Sequence, residues 1–114
     1  MITPIKKSIY KDYILIIKII KLGELMKIIT NFEISKGYSV WKEAFVKNEP
    51  MIQKHTIKTL AYGHEEGNEN NVYSVLEIPF METMQELLKE PEMIELRENA
   101  GVVFETQKMT KLVE

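Results

Sequence analysis

Not one of the 114 residues is a cysteine, which excludes disulfides, thiolate metal sites, iron–sulfur clusters and a cysteine nucleophile. Arginine occurs once, at position 97, and 17 acidic side chains outnumber 15 basic ones. Such a chain lacks the basic footprint that phosphate backbones require, so nucleic acid is not an expected partner. Five glycines and four prolines are too few for a fibrous or low-complexity chain, and 45% apolar residues are too many for a disordered one. There is no P-loop, no dinucleotide fingerprint and no HExxH-type spacing, so no nucleotide, flavin or metal cofactor is expected. With no disulfide chemistry and no leader-like apolar run ending in a small-residue cleavage site, the expected location is the cytoplasm.

What remains is one domain's worth of sequence, long enough to bury a core. Its charge is uneven. Residues 1–25 hold five lysines against Asp12 and Glu24, a net +3, whereas residues 26–114 hold ten basic and fifteen acidic groups, a net −5. The apolar run Tyr13–Ile17 is cut by Lys18 and Lys21, too short to span a bilayer. On a helix, Lys7, Lys11, Lys18 and Lys21 would form one stripe. Three readings stay open: a helix lying on the body, a membrane-surface helix, or an extension upstream of a start at Met26. A membrane surface is the less favoured partner, since amphipathic helices mostly pack on protein.

From Met26 the pattern reads strand, helix, hairpin, helix, strand. Met26–Glu33 is rich in branched and aromatic residues, as strands are. Trp41, Phe45, Asn48 and Ile52 recur at helical spacing, with a kink or restart predicted at Pro50. Ile57–His64 predicts a second strand, with Tyr62 and His64 on the face opposite Thr59 and Ala61. The polar stretch Glu65–Asn71 predicts a turn, and Val72–Ile78 a third strand. Met84, Leu87 and Leu88 mark a helix that Pro91 interrupts, Met93, Ile94 and Leu96 continue it, and Gly101 stops it. Val102–Met109 is the last strand. The order βαββαβ predicts an α+β, ferredoxin-like fold: a four-stranded antiparallel sheet with two helices on one face.

Two helices cover one face of such a sheet. One side of the strands carries Ile28, Phe32, Ile57, Ala61, Val72, Leu76 and Ile78, and the other Ile29, Leu60, Tyr62, Tyr73 and Val75. Whichever side meets the helices, the remaining one is expected to hold several large apolar groups, a patch rarely left in water. A second copy of the sheet, packed about a two-fold axis, is the economical cover, with residues 1–25 as the competing one. Each such side chain contributes roughly 1.5–3 kcal/mol on burial, before the cost of association. The chain is therefore expected to pair with itself.

Particular stretches carry a resemblance. Phe45-Val-Lys-Asn-Glu-Pro-Met51, His55-Thr-Ile-Lys-Thr-Leu-Ala-Tyr-Gly63 and Pro91-Glu-Met-Ile-Glu-Leu-Arg-Glu-Asn-Ala-Gly-Val102, in the order βαββαβ, resemble the dimeric α+β barrel superfamily. Within it they look like a small, largely cyanobacterial family of unknown function, over residues 26–114. The superfamily includes cofactor-free monooxygenases, small-molecule isomerases and dehydratases, and haem-handling enzymes. The resemblance implies a pocket between sheet and helices. It carries over no catalytic motif, because the matching stretches are structural signatures.

Candidate chemistry comes from residue type. His55 and His64 are the side chains whose unperturbed titration lies near neutrality. His55 falls where the first helix ends, a favourable place for an imidazole on dipole grounds alone; His64 adjoins the acidic turn. Asn31 and Glu77 are polar positions on otherwise apolar strands. If they face a cavity, Asn31 is a hydrogen-bond donor and Glu77 a carboxylate base, with Trp41, Tyr62 and Tyr73 as walls. If they face solvent, they are ordinary surface groups and Trp41 is core. His55, His64 and Glu77 are thus the acid–base candidates, and Asn31, Trp41, Tyr62 and Tyr73 the ligand-binding ones. The leading expectation is a homodimer that binds a small organic molecule or serves as an interaction module. The rival is a cofactor-independent enzyme acting on a small aromatic or carbonyl compound.

Overall fold

A computed structural model describes residues 25–114. The expectations for residues 1–25 (a basic amphipathic extension, a cover for the sheet, a membrane-surface helix) lie outside the described residues except for Leu25. Four strands form one antiparallel sheet: β1 (Met26–Ile34), β2 (Lys58–Glu65), β3 (Asn68–Ile78) and β4 (Val102–Leu112), in the order β2-β3-β1-β4. Two broken helices cross over one face, α1 (Tyr38–Lys47) with α2 (Glu49–Lys54), and α3 (Met81–Lys89) with α4 (Pro91–Asn99). This is the ferredoxin-like α+β fold. No helix among the described residues is long and apolar enough to cross a membrane.

Both helix breaks fall at prolines. Pro50 and Pro91 take first-turn positions of α2 and α4, where the missing N–H costs nothing. The Asn48 side chain closes the end of α1 by donating to the Ala44 carbonyl at 2.8 Å. Gly37, Gly67 and Gly101 take positive φ. Gly67 lets a two-residue turn join β2 and β3, so Asn68–Asn71, expected to be loop, extends the ladder.

Alternation sets the helix-facing side. Ile28, Thr30, Phe32 and Ile34 of β1 and Val72, Ser74, Leu76 and Ile78 of β3 are all buried. Two clusters result. One gathers Ile28, Ile52, Ile57, Leu76, Ile78, Met84, Leu87 and Met93; the other gathers Phe32, Ile34, Trp41, Val72, Ala100 and Val102.

Two bulges override simple alternation. In β2, Thr59 pairs with Leu76 but Ala61 pairs with Val75, so Leu60 is the extra residue. Beyond it Tyr62 and His64 fall opposite Ser74 and Val72, on the helix side. Strict alternation had put them on the other face; the inserted residue reverses the pleat. In β4, Asn31 pairs with Lys108 and Glu33 with Val103, so residues 104–107 oppose Phe32 alone. Thr106 pins this bulge, its Oγ1 accepting from the Glu33 N–H at 2.9 Å and donating to the Val103 carbonyl at 2.6 Å.

The open face is mixed in character. Its central row is Thr110, Ile29, Val75 and Ala61, flanked by the charged row Lys27, Glu77 and Lys58, and by Lys108, Asn31, Tyr73 and Gly63. Ile29 and Val75 are half-buried, and Tyr73 is exposed. Losing Tyr62 to the helix side makes this face less apolar than the alternation of the sequence suggests.

Candidate functional site

A cavity of about 80 Å³ lies between the sheet and the broken helices. Its floor is the centre of the sheet, Phe32 with Thr30 and Ser74. One wall is α1, through Trp41, Ala44 and Phe45; the other is α3 and α4, through Met84, Leu87, Met93 and Arg97. Both helix breaks border it, through Asn48 and Ile52 on one side and Leu88 and Met93 on the other.

Five polar side chains enter this apolar space. The hydroxyls of Thr30 and Ser74, both nearly fully buried, hydrogen-bond each other across neighbouring strands. Asn48 reaches in from the α1–α2 break. Arg97 projects from α4, and its Nη2 donates to Oε1 of Gln107, which the β4 bulge turns inward. The Arg97 guanidinium lies over the Phe32 ring at 5.6 Å and the Phe104 ring at 5.0 Å, a cation–π arrangement that offsets part of its lost hydration. Burial lowers its pKa to about 10, so it stays charged at neutral pH. Among the described residues Arg97 is the one ionisable group lining this cavity.

The residues singled out in the sequence divide between three places. Trp41 lines the cavity, stacked on Phe45 with centroids 4.9 Å apart. Tyr62 packs outside Trp41 and Phe45, at 6.0 and 5.0 Å, and is 37% exposed. His64 lies at the same rim, its ring edge-on to Tyr38 at 4.6 Å and its Nδ1 2.8 Å from the Glu65 carbonyl oxygen. Tyr38 itself is raised above its ordinary pKa by burial and by Tyr62. Asn31, Tyr73 and Glu77 share the open face. There Asn31 donates to Asn71 Oδ1 at 2.7 Å and to the Val72 carbonyl at 2.9 Å, while Glu77 sits between Lys27 and Lys58.

His55 caps the end of α2, and its Nε2 is 2.9 Å from Oε1 of Glu90 at the α3–α4 break. That pair ties the end of α2 to the α3–α4 break. Thr56, next in the chain, takes φ 62, an uncommon conformation for a branched residue, and turns the backbone from α2 into β2. Neither histidine lines the cavity. Among the described residues no three histidine or carboxylate side chains converge as a metal site would require.

Arg97 and Gln107 were not singled out as site residues. Arg97 was legible: it falls four residues after Met93 and three before Ala100, on the face of α4 that turns inward. Gln107 was not, because only the bulge brings it to that side.

No protein-family model matches the sequence, and no curated protein is similar to it. Solved structures are. A candidate antibiotic biosynthesis monooxygenase from Bordetella bronchiseptica is 9% identical over 80% of this chain and 97% of its own, with a TM-score of 0.65. SnoaB, a cofactor-independent oxygenase from Streptomyces nogalater, is 8% identical over 80% of this chain and 93% of its own, with a TM-score of 0.57. A candidate monooxygenase from Lactobacillus acidophilus is 16% identical over 79% of this chain and 44% of its own, with a TM-score of 0.61. At these identities the likeness concerns the backbone: the chain has the α+β fold found in antibiotic-biosynthesis-monooxygenase-like proteins.

Proposed function

We propose that this chain binds a small organic molecule in the cavity between its sheet and its helices. The observation that carries the reading is the apolar space between sheet and helices with Thr30, Asn48, Ser74, Arg97 and Gln107 all reaching it, apolar walls with a few polar groups as ligand sites have. The cavity is about half the ~150 Å³ of an engineered cavity that holds benzene.

Trp41 is the single tryptophan and lines the cavity, so intrinsic fluorescence reads the site directly. A panel of small carbonyl compounds, carboxylates and amides is expected to yield at least one that changes Trp41 emission saturably. Ala44→Leu, which fills the cavity from α1, should weaken that compound at least tenfold. Emission that no compound changes, or a response that survives Ala44→Leu unaltered, would count against the site.

The enzymatic alternative is a cofactor-independent oxygenase or isomerase. It is favoured by the fold it shares with SnoaB and the candidate monooxygenases. Such chemistry requires a base near the bound substrate. His55, His64 and Glu77 lie outside the cavity lining, and Arg97 is a poor base, so binding without turnover is the better supported reading. The narrower kinship with small, largely cyanobacterial proteins belongs to the same proposal and rests on residues 45–51, 55–63 and 91–102.

We further infer that two copies pair through the open sheet face, around the half-buried Ile29 and Val75. Light scattering after size exclusion should give twice the 13.4 kDa chain mass at micromolar concentration, and Val75→Lys should shift it toward the monomer. A wild-type monomer under those conditions would refute the pairing.

A further inference from the structure

The charge inside the cavity narrows the class of ligand. Among the described residues the one ion pair is His55 with Glu90, so the Arg97 guanidinium has no carboxylate partner. A half-buried cation without an anion is unfavourable, and proteins commonly pair or expose it. Acidic side chains are close by in sequence, at Glu92, Glu95 and Glu98 of the same helix. None stands three or four residues from Arg97, the spacing that brings side chains together on a helix. Those positions hold Met93, Ile94, Ala100 and Gly101 instead.

Arg97 carries five N–H donors, and one hydrogen bond from it is accounted for, to Gln107. The flat faces of Phe32 and Phe104 stabilise the cation, and its other edge donors have no acceptor among the described residues. We propose that Arg97 makes the cavity an anion site, and that its ligand is a short-chain carboxylate. The guanidinium takes the carboxylate in the two-pronged geometry these groups favour, and the hydrocarbon tail lies against Met84, Leu87 and Met93. The volume of about 80 Å³ sets the length of the tail at a few carbons. This assignment rests on the cavity being a binding site at all, and adds its sign and size.

Butyrate and butyramide share a skeleton and differ in charge, so the two together test both claims. With Trp41 emission and the thermal midpoint as readouts, butyrate should bind wild-type protein at least tenfold more tightly than butyramide. Arg97→Met should bring that ratio close to one while butyramide binding is retained. If Arg97→Met does not fold, the wild-type ratio decides by itself. Equal binding of the two ligands would overturn the anion site and leave the cavity standing as a neutral one. A butyrate preference that persists in Arg97→Met would overturn the role of Arg97. No response to either ligand, in emission or in midpoint, would overturn the short-chain carboxylate; the wider panel then decides for the cavity.

Discussion

Replacing Trp41 by alanine is expected to destabilise the fold by about 3–5 kcal/mol, the range seen when a buried aromatic is truncated. Trp41 is 4% exposed. It stacks on Phe45, tilts against Phe32 and Tyr38 at 5.8 and 5.6 Å, and meets Tyr62 edge-on at 6.0 Å. Truncation removes the large apolar surface of the indole and four aromatic contacts at once. The space cannot collapse, because it opens onto a cavity that exists already. Trp41→Phe retains most of the packing and should cost well under half as much. Urea unfolding followed by circular dichroism measures both. A loss below about 1 kcal/mol for Trp41→Ala would mean that α1 is not held to the sheet as described.

Gly101→Ala should be nearly as damaging, at about 2–4 kcal/mol, through backbone and packing together. Gly101 has φ +85, where a side chain is strained, and a Cβ there would stand 2.9 Å from Lys36 Cγ and 3.0 Å from the Lys36 backbone nitrogen. Lys36 cannot easily retreat. The Ser35 N–H is bonded to the Gly101 carbonyl at 2.8 Å, and the Lys36 ammonium reaches the Asn99 carbonyl at 3.1 Å. This is where the chain leaves α4 and enters β4, so strain bears on the helix that carries Arg97. Gly67→Ala is the control. Its φ of +83 is similar but nothing lies within 4 Å of the added carbon, so it should cost only about 1 kcal/mol. Equal costs at the two positions would show that the close approach to Lys36 contributes nothing.

Most of the fold was legible because alternation and helical spacing are local properties. Ile28, Phe32, Val72, Leu76 and Ile78 group on one side of the sheet, although both sides carry enough apolar residues that the pattern leaves open which one the helices cover, and Pro50 and Pro91 announce the breaks. The same alternation places Thr30 and Ser74 on the side of Ile28 and Phe32, although Asn31 and Glu77 drew more notice as polar residues on apolar strands; they occupy the open face. What local pattern cannot convey is a bulge. One extra residue at Leu60 carries Tyr62 and His64 across the sheet, and the insertion at 104–107 carries Gln107 inward. Arg97 lies between these cases. Its position on α4 marks it as inward, but the solitary arginine of an acidic chain reads first as a statement about surface charge.

Entry of ligand on the helix side of the sheet is the proposal on which the rest depends. Amide and tryptophan side-chain chemical shifts, recorded while butyrate is titrated into labelled protein, test it residue by residue. Perturbations should cluster at Thr30, Trp41, Asn48, Ser74, Arg97 and Gln107, and leave Asn71, Tyr73 and Glu77 in place. Shifts gathered instead around Asn31, Tyr73 and Glu77, with Trp41 unmoved, would contradict it.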